Sequence, residues 1–139
     1  MTDKKIEFDY ATIESNLNEI IEKAKTVYNN LENKKLALSL IDLTTLNSTD
    51  TVEHVRKFTQ KVNDFPTHFE GLENVAAICV YPNMVATVEE TLQLPEVNIA
   101  SVSGGFPSSM TFTKVKVEET KLALKAGADE IDIVLALSH

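Results

Sequence analysis

The chain has no tryptophan, a single cysteine, four glycines and four prolines in 139 residues. One cysteine forms no intrachain disulfide, so neither a disulfide scaffold nor an oxidising compartment is implied. Glycine and proline this sparse exclude fibrous and low-complexity architectures, and no Pro/Gly/Ser-rich linker interrupts the chain. Basic residues are outnumbered, 13 Lys and Arg against 21 Asp and Glu, for a formal charge of -8 and a pI near 4.8. Such a surface repels nucleic acid and anionic membranes and gains nothing from counterion release, so neither is an expected partner. No stretch approaches the ~18 consecutive apolar residues of a membrane span. Met1 to Phe8 carries Lys4 and Lys5 with no apolar segment after it. A cytoplasmic protein is the expectation.

What is present is a 43% hydrophobic composition, enough for one globular domain with a real core. From Ala11 to Leu31, Ile13, Leu17, Ile20, Ile21, Ala24, Val27, Tyr28 and Leu31 recur at helical spacing, which predicts a leading amphipathic packing helix. Leu36 to Leu43 has the length of a first strand. Asn47 to Asp50 carries helix-cap chemistry with Glu53 three residues on, and Val52, Val55, Phe58 and Val62 continue as a helix that Asp64-Phe65-Pro66 ends. Val75 to Tyr81 is apolar at nearly every position, as in a parallel strand covered on both faces. A short helix over 85–92, a strand over 97–102, a helix over 113–126 and a strand over 130–137 follow. In the helix over 113–126, Val115, Leu122 and Ala126 share a face, and Glu118 is placed to meet Lys121.

Regular alternation of strand and helix implies a parallel sheet, α/β in class. It reads as one domain over 1–139, with a leading helical segment over 1–35 and four β/α strands over 36–139. Alternation alone leaves open whether the sheet is doubly wound or half of a closed barrel.

Ligands of parallel β/α folds bind at the carboxyl ends of the strands. There lie Asp42 with Thr44, Thr45 and Asn47, then Cys79, then Ser101 and Ser103, then Asp132. Asp132 sits between Ile131 and Ile133, which reads as a buried inward carboxylate needing a cation or strong donor beside it, or else as an exposed strand-end residue. Asp42, between Ile41 and Leu43, either accepts a hydrogen bond or orients a lysine, or else is a cap or turn residue. Cys79, inside an apolar run, reads as a small core residue. Gly104-Gly105 either cradles a phosphate on its backbone amides or is simply a loop. His54 falls on a helix face, His68 in a polar loop and His139 at the end, without metal-ligand spacing, so no metal site is expected.

Taken in order, Leu40-Ile41-Asp42-Leu43-Thr44-Thr45-Leu46-Asn47, Ala76-Ala77-Ile78-Cys79-Val80-Tyr81-Pro82, Ile99-Ala100-Ser101-Val102 with Phe106-Pro107, and Gly127-Ala128-Asp129-Glu130-Ile131-Asp132-Ile133-Val134 resemble the deoxyribose-phosphate aldolases from about Leu36 onward. The resemblance implies the N-terminal half of a (β/α)₈ TIM barrel. It implies a class I lyase that reversibly cleaves 2-deoxyribose 5-phosphate to acetaldehyde and glyceraldehyde 3-phosphate through a lysine Schiff base, with no metal and no cofactor. It makes Asp132 the aspartate of the proton relay, Asp42, Thr44 and Asn47 lining near the substrate hydroxyls, and Cys79 a neighbour of the pocket rather than a nucleophile.

The Schiff-base lysine of that family, and the second lysine that lowers its pKa, belong to motifs on later strands that do not occur in these 139 residues. The Gly104-Gly105 pair also departs from the bulkier polar pair expected before Phe106-Pro107. The lysines present fall on tails, linkers and helices, where nothing favours a neutral amine. The chain alone is therefore expected to be inactive and, with two strand edges and an apolar inner face to cover, to self-associate. A non-catalytic self-assembling half-barrel and an open-sheet module for a small phosphorylated ligand are the other readings.

Overall fold

The stripe over 11–31 folds as helix α1 (Tyr10–Lys23), extended by a π-helical turn over Ala24–Tyr28. Asp9 caps α1, accepting from the Thr12 backbone at 3.1 Å and from its hydroxyl at 2.6 Å. The structure is a computed structural model that describes residues 8–137, so Lys4, Lys5 and His139 lie outside the described residues. The chain divides into two units, Met1–Leu36 and Ala37–His139, and the division falls within helix α2 (Leu31–Ser39). Described by itself, the first unit leaves Ile13, Leu17 and Ile20 of its amphipathic stripe without a packing partner.

Helix α2 corrects the expected strand over 36–43. Leu31-Glu-Asn-Lys-Lys-Leu-Ala-Leu-Ser contains no β-branched residue and, Asn33 and Ser39 apart, consists of good helix formers, so the strand is only Asp42–Thr44, β1. Helix α3 (Val52–His68) is capped by Thr51, which accepts from the His54 amide at 3.1 Å, rather than by the 47–50 segment. It also runs one turn past the predicted stop, so Pro66 lies inside it and His68 is helical. The donor that proline lacks would have met the Val62 carbonyl, and the Asn74 side chain supplies one instead at 2.9 Å.

The remaining elements follow the predicted order with shorter strands: β2 (Ala77–Val80), a 3₁₀ turn over Pro82–Met84, α4 (Val85–Thr91), β3 (Asn98–Ser103), α5 (Thr113–Lys125) and β4 (Glu130–Ile133). The expected end of the last strand, Leu135 and Leu137, lies past the sheet in irregular backbone and is exposed. The four strands are parallel in the order β1-β2-β3-β4. A doubly wound sheet reverses strand order at its switch point, and this one does not, so the succession is that of a barrel wall.

Alternation along the strands sorts two faces. Ile78, Val80 and Ile99 pack with Val55 and Val62 of α3, Val85 and Val88 of α4 and Ala123 of α5, with Leu43 and Ile131 at the margins. Complete burial of side chains such as Ile78 and Val55 stabilises the unit by about 1.5–3 kcal/mol each. The opposite face carries Ala77, Cys79, Ala100 and Val102, packed only by Leu46, Tyr81 and Phe106 from strand-end loops. None of α3, α4 and α5 covers that face, and β1 and β4 are edges among the described residues.

Candidate active site

At the carboxyl ends of the strands the uncovered face opens into a cleft of about 530 Å³, lined by Thr44, Leu46, Cys79, Val102, Phe106, Asp132 and the β4 residues around it. The register explains the grouping. Thr44 pairs with Cys79, Cys79 with Ala100, and Val102 with Asp132, so alternate residues of four neighbouring strands point to one side. Asp132 Oδ2 lies 3.7 Å from Cys79 Sγ. Contrary to the reading of a buried charge, Asp132 is exposed: the cleft is open on the side away from the sheet, so its carboxylate faces solvent instead of a cation.

Burial, seconded by the Asp132 charge, pushes the Cys79 thiol from 9.0 up to about 11, although Thr44 hydrogen-bonds it in the opposing sense. A thiol so shifted is a poor nucleophile at neutral pH. Because the folded value is the higher one, folding is unpenalised below the unfolded pKa and loses stability as pH rises toward 11. Alkylation of native Cys79 is expected to be negligible at pH 7 and to rise about tenfold per pH unit until near 11, whereas the unfolded chain reacts readily at pH 8. Iodoacetamide labelling followed by intact mass measures this. Rapid labelling of the folded chain at pH 7 would overturn it.

Asp42 shares the parity of Thr44 and stands at the start of β1, exposed. Partial desolvation, then Glu130 and Asp132, raise its carboxyl above the ordinary value. Glu130, which sequence reasoning passed over, accepts from Asn98 Nδ2 at 2.6 Å. Its signal was the spacing of two from Asp132, which places both carboxylates on one side of β4.

Asn47 does not line the cleft. Its side chain donates to Thr45 Oγ1 at 3.3 Å and to Asp50 Oδ1 at 3.2 Å, and its amide donates to Asp50 Oδ2 at 3.0 Å. Asp50, read from sequence as cap chemistry, is the hub of the β1–α3 loop. The Thr45 hydroxyl at 2.7 Å, ahead of the Asn47 donors and nearby His54, holds its carboxyl below the ordinary range.

Ser101 and Ser103 also lie elsewhere. Their parity is opposite to that of Ala100 and Val102, and both are buried on the helix side, with Ser103 Oγ 2.7 Å from Thr120 Oγ1. Nor is the Gly105 amide open to a phosphate, since it donates to Glu119 Oε2 at 2.9 Å. Phe106, next along, lines the cleft and meets Tyr81 edge-on at 6.1 Å between centroids. Every described lysine is helical, and none lines the cleft. Among the described residues no group of acidic, His or Cys side chains is arranged to hold a metal, and no helix is long and apolar enough to cross a membrane.

Residues 36–139 match the profile of the DeoC/LacD family aldolases. A putative deoxyribose-phosphate aldolase of Caenorhabditis elegans is 37% identical over 133 residues, which cover 94% of this chain and 43% of that protein. The deoxyribose-phosphate aldolase of Homo sapiens is 37% identical over 111 residues, covering 71% of this chain and 34% of the relative. Among solved structures, the deoxyribose phosphate aldolase of Aeropyrum pernix superposes with a TM-score of 0.64 at 28% identity, over 78% of this chain and 42% of that one. A putative deoxyribose-phosphate aldolase from Coccidioides immitis superposes with a TM-score of 0.62 at 27% identity, over 73% and 36%. The chain thus spans less than half the length of these relatives. With the parallel β/α wall and the match over 36–139, it belongs to the DeoC/LacD aldolase family.

Proposed function

We propose that this chain supplies the β1–β4 side of a deoxyribose-phosphate aldolase active site, for reversible cleavage of 2-deoxyribose 5-phosphate to acetaldehyde and glyceraldehyde 3-phosphate through a lysine Schiff base. The observation that carries the reading is the convergence of Thr44, Cys79 and Asp132 on one cleft at the carboxyl ends of adjacent parallel strands.

In this reading Asp132 relays the protons that carbinolamine and enamine steps give up and take back, a task that needs a carboxylate within reach of the reacting carbon. Its exposure in the open cleft suits a group whose amine partner comes from the side facing it. Thr44 offers a hydroxyl to the substrate, Asp42 a carboxylate that accepts from a substrate hydroxyl or a lysine, and Asn47 holds the β1–α3 loop with Asp50 rather than lining the cleft. Cys79 shapes the wall without attacking, in keeping with its raised pKa. No lysine of the described residues meets the Schiff-base requirement, so the lysine has to reach the cleft from another part of an assembled barrel.

The uncovered face and the two unpaired edges also favour a second reading, a non-catalytic half-barrel that assembles with itself. The Aeropyrum relative is described as tetrameric, which is in keeping with assembly of either kind. Cytoplasmic residence fits both. The experiment that separates them is transfer: residues 36–137 replace the matching segment of a full-length relative, and cleavage of 2-deoxyribose 5-phosphate is measured. Turnover supports the lyase reading, and a folded hybrid without turnover supports the other.

A further inference from the structure

Helix α5 presents an unexpected side to the sheet. Of the predicted packing face, Ala126 meets the core, but Val115 and Leu122 are 50% and 57% exposed, while Lys116, Glu119, Thr120 and Ala123 turn inward. Those four positions are spaced three, one and three apart, a continuous stripe on one helix face. Three of them are polar, and each engages the last residue of β3 or the segment that follows it. Thr120 Oγ1 meets Ser103 Oγ at 2.7 Å, Glu119 Oε2 accepts from the Gly105 amide at 2.9 Å and from Ser103 Oγ at 3.4 Å, and Lys116 Nζ donates to Ser109 Oγ at 2.6 Å.

The segment held this way departs from regular backbone. Gly104 and Gly105 have φ of +78° and +74°, and a Cβ on Gly105 would meet Thr111 Cγ2 at 2.7 Å. Ser109, with φ of 58°, is buried, and its amide closes the turn on the Gly105 carbonyl at 2.8 Å. The turn projects Phe106 into the cleft and against Tyr81. Gly105 immediately precedes Phe106, so whatever fixes the Gly105 amide fixes where that ring stands.

We infer that Glu119 is a positioning residue: from outside the sheet its carboxylate anchors the Gly104-Gly105 turn and thereby places Phe106 as a wall of the cleft. Charge-assisted acceptance from a backbone amide is among the stronger hydrogen bonds, which suits an anchor that has to outweigh the freedom of two glycines. The consequence for substrate rests on the proposed aldolase reading, because Phe106 then limits the width of the site beside Thr44 and Cys79. The placement itself does not depend on that reading.

The test uses the chain's lack of tryptophan. Phe106→Trp installs a single reporter against Tyr81, and near-UV circular dichroism and quencher access are read in that background. Glu119→Ala is expected to abolish the near-UV band and raise quencher access several-fold with far-UV signal intact. Glu119→Gln, which keeps an oxygen acceptor for the Gly105 amide, restores both, and Glu118→Ala, at an exposed position one residue away, changes neither. An unchanged band in Glu119→Ala, or a loss in Glu119→Gln as complete as in alanine, overturns the inference. Should Glu119→Ala fail to fold, amide exchange in the unsubstituted chain decides: Gly105 protected at least about tenfold supports the anchor, and exchange at the rate of an unstructured peptide overturns it. If the hybrid barrel lacks turnover while these results hold, the aldolase reading fails and the anchor stands.

Discussion

Incubated with 2-deoxyribose 5-phosphate and borohydride, the 139-residue chain is expected to gain no covalent mass and to release no acetaldehyde. Reductive trapping detects any lysine that forms a Schiff base, whether or not turnover follows. Nucleophilic lysines need a neutral amine, which desolvation or a cationic neighbour provides. Lys57 lies 3.1 Å from Glu53 and Lys121 3.9 Å from Glu118, both highly exposed, so neither amine is desolvated. Lys116, the lysine nearest to being buried in α5, spends its ammonium on Ser109 behind the sheet. The cleft has Asp132 and a thiol with a pKa near 11, and no amine among the described residues. Trapping at any one lysine, located by peptide mass, would contradict the account.

Self-association is the second large effect. In sedimentation the chain should run as a dimer or larger species that dissociates on dilution, because among the described residues β1 and β4 are unpaired edges and the face bearing Ala77, Cys79, Ala100 and Val102 is covered by none of α3, α4 and α5. Ile133 at 63% exposed and Leu135 at 73% extend the apolar surface past the β4 edge. The charge of -8 works against association, so added salt should strengthen it by screening. A monodisperse monomer at all accessible concentrations would show that the open face is tolerated as it is.

The order of β/α units was legible because buried parallel strands such as Val75 to Tyr81 are apolar on both faces, and because the second half of Thr113 to Lys125, Glu118 to Lys125, is dominated by helix formers. Boundaries were less so. Leu36 to Ser39 is as apolar as a strand, and only its lack of β-branching distinguished it as helix. The convergence of Thr44, Cys79 and Asp132 followed from their common place at strand ends. Which serines joined them did not, since facing depends on register: a shift of one residue moves Ser101 and Ser103 to the other side. The state of Asp132 was out of reach for a different reason. Burial of an inward strand residue is decided by what lies across the barrel, and nothing in β4 itself encodes that. The polar inner stripe of α5 was hidden because Val115 and Leu122 give a plausible apolar face, whereas Glu119 gains its meaning only from Gly105, fourteen residues earlier.

The most direct measurement is kcat for 2-deoxyribose 5-phosphate cleavage by the hybrid in which residues 36–137 of this chain stand within a full-length relative, before and after Asp132→Asn. The account predicts turnover in the hybrid and a fall of about 10²–10⁴-fold on substitution, the scale of a lost proton-transfer group. A hybrid that turns over equally well after Asp132→Asn, or one that folds and binds yet never turns over, would contradict the assignment of this cleft.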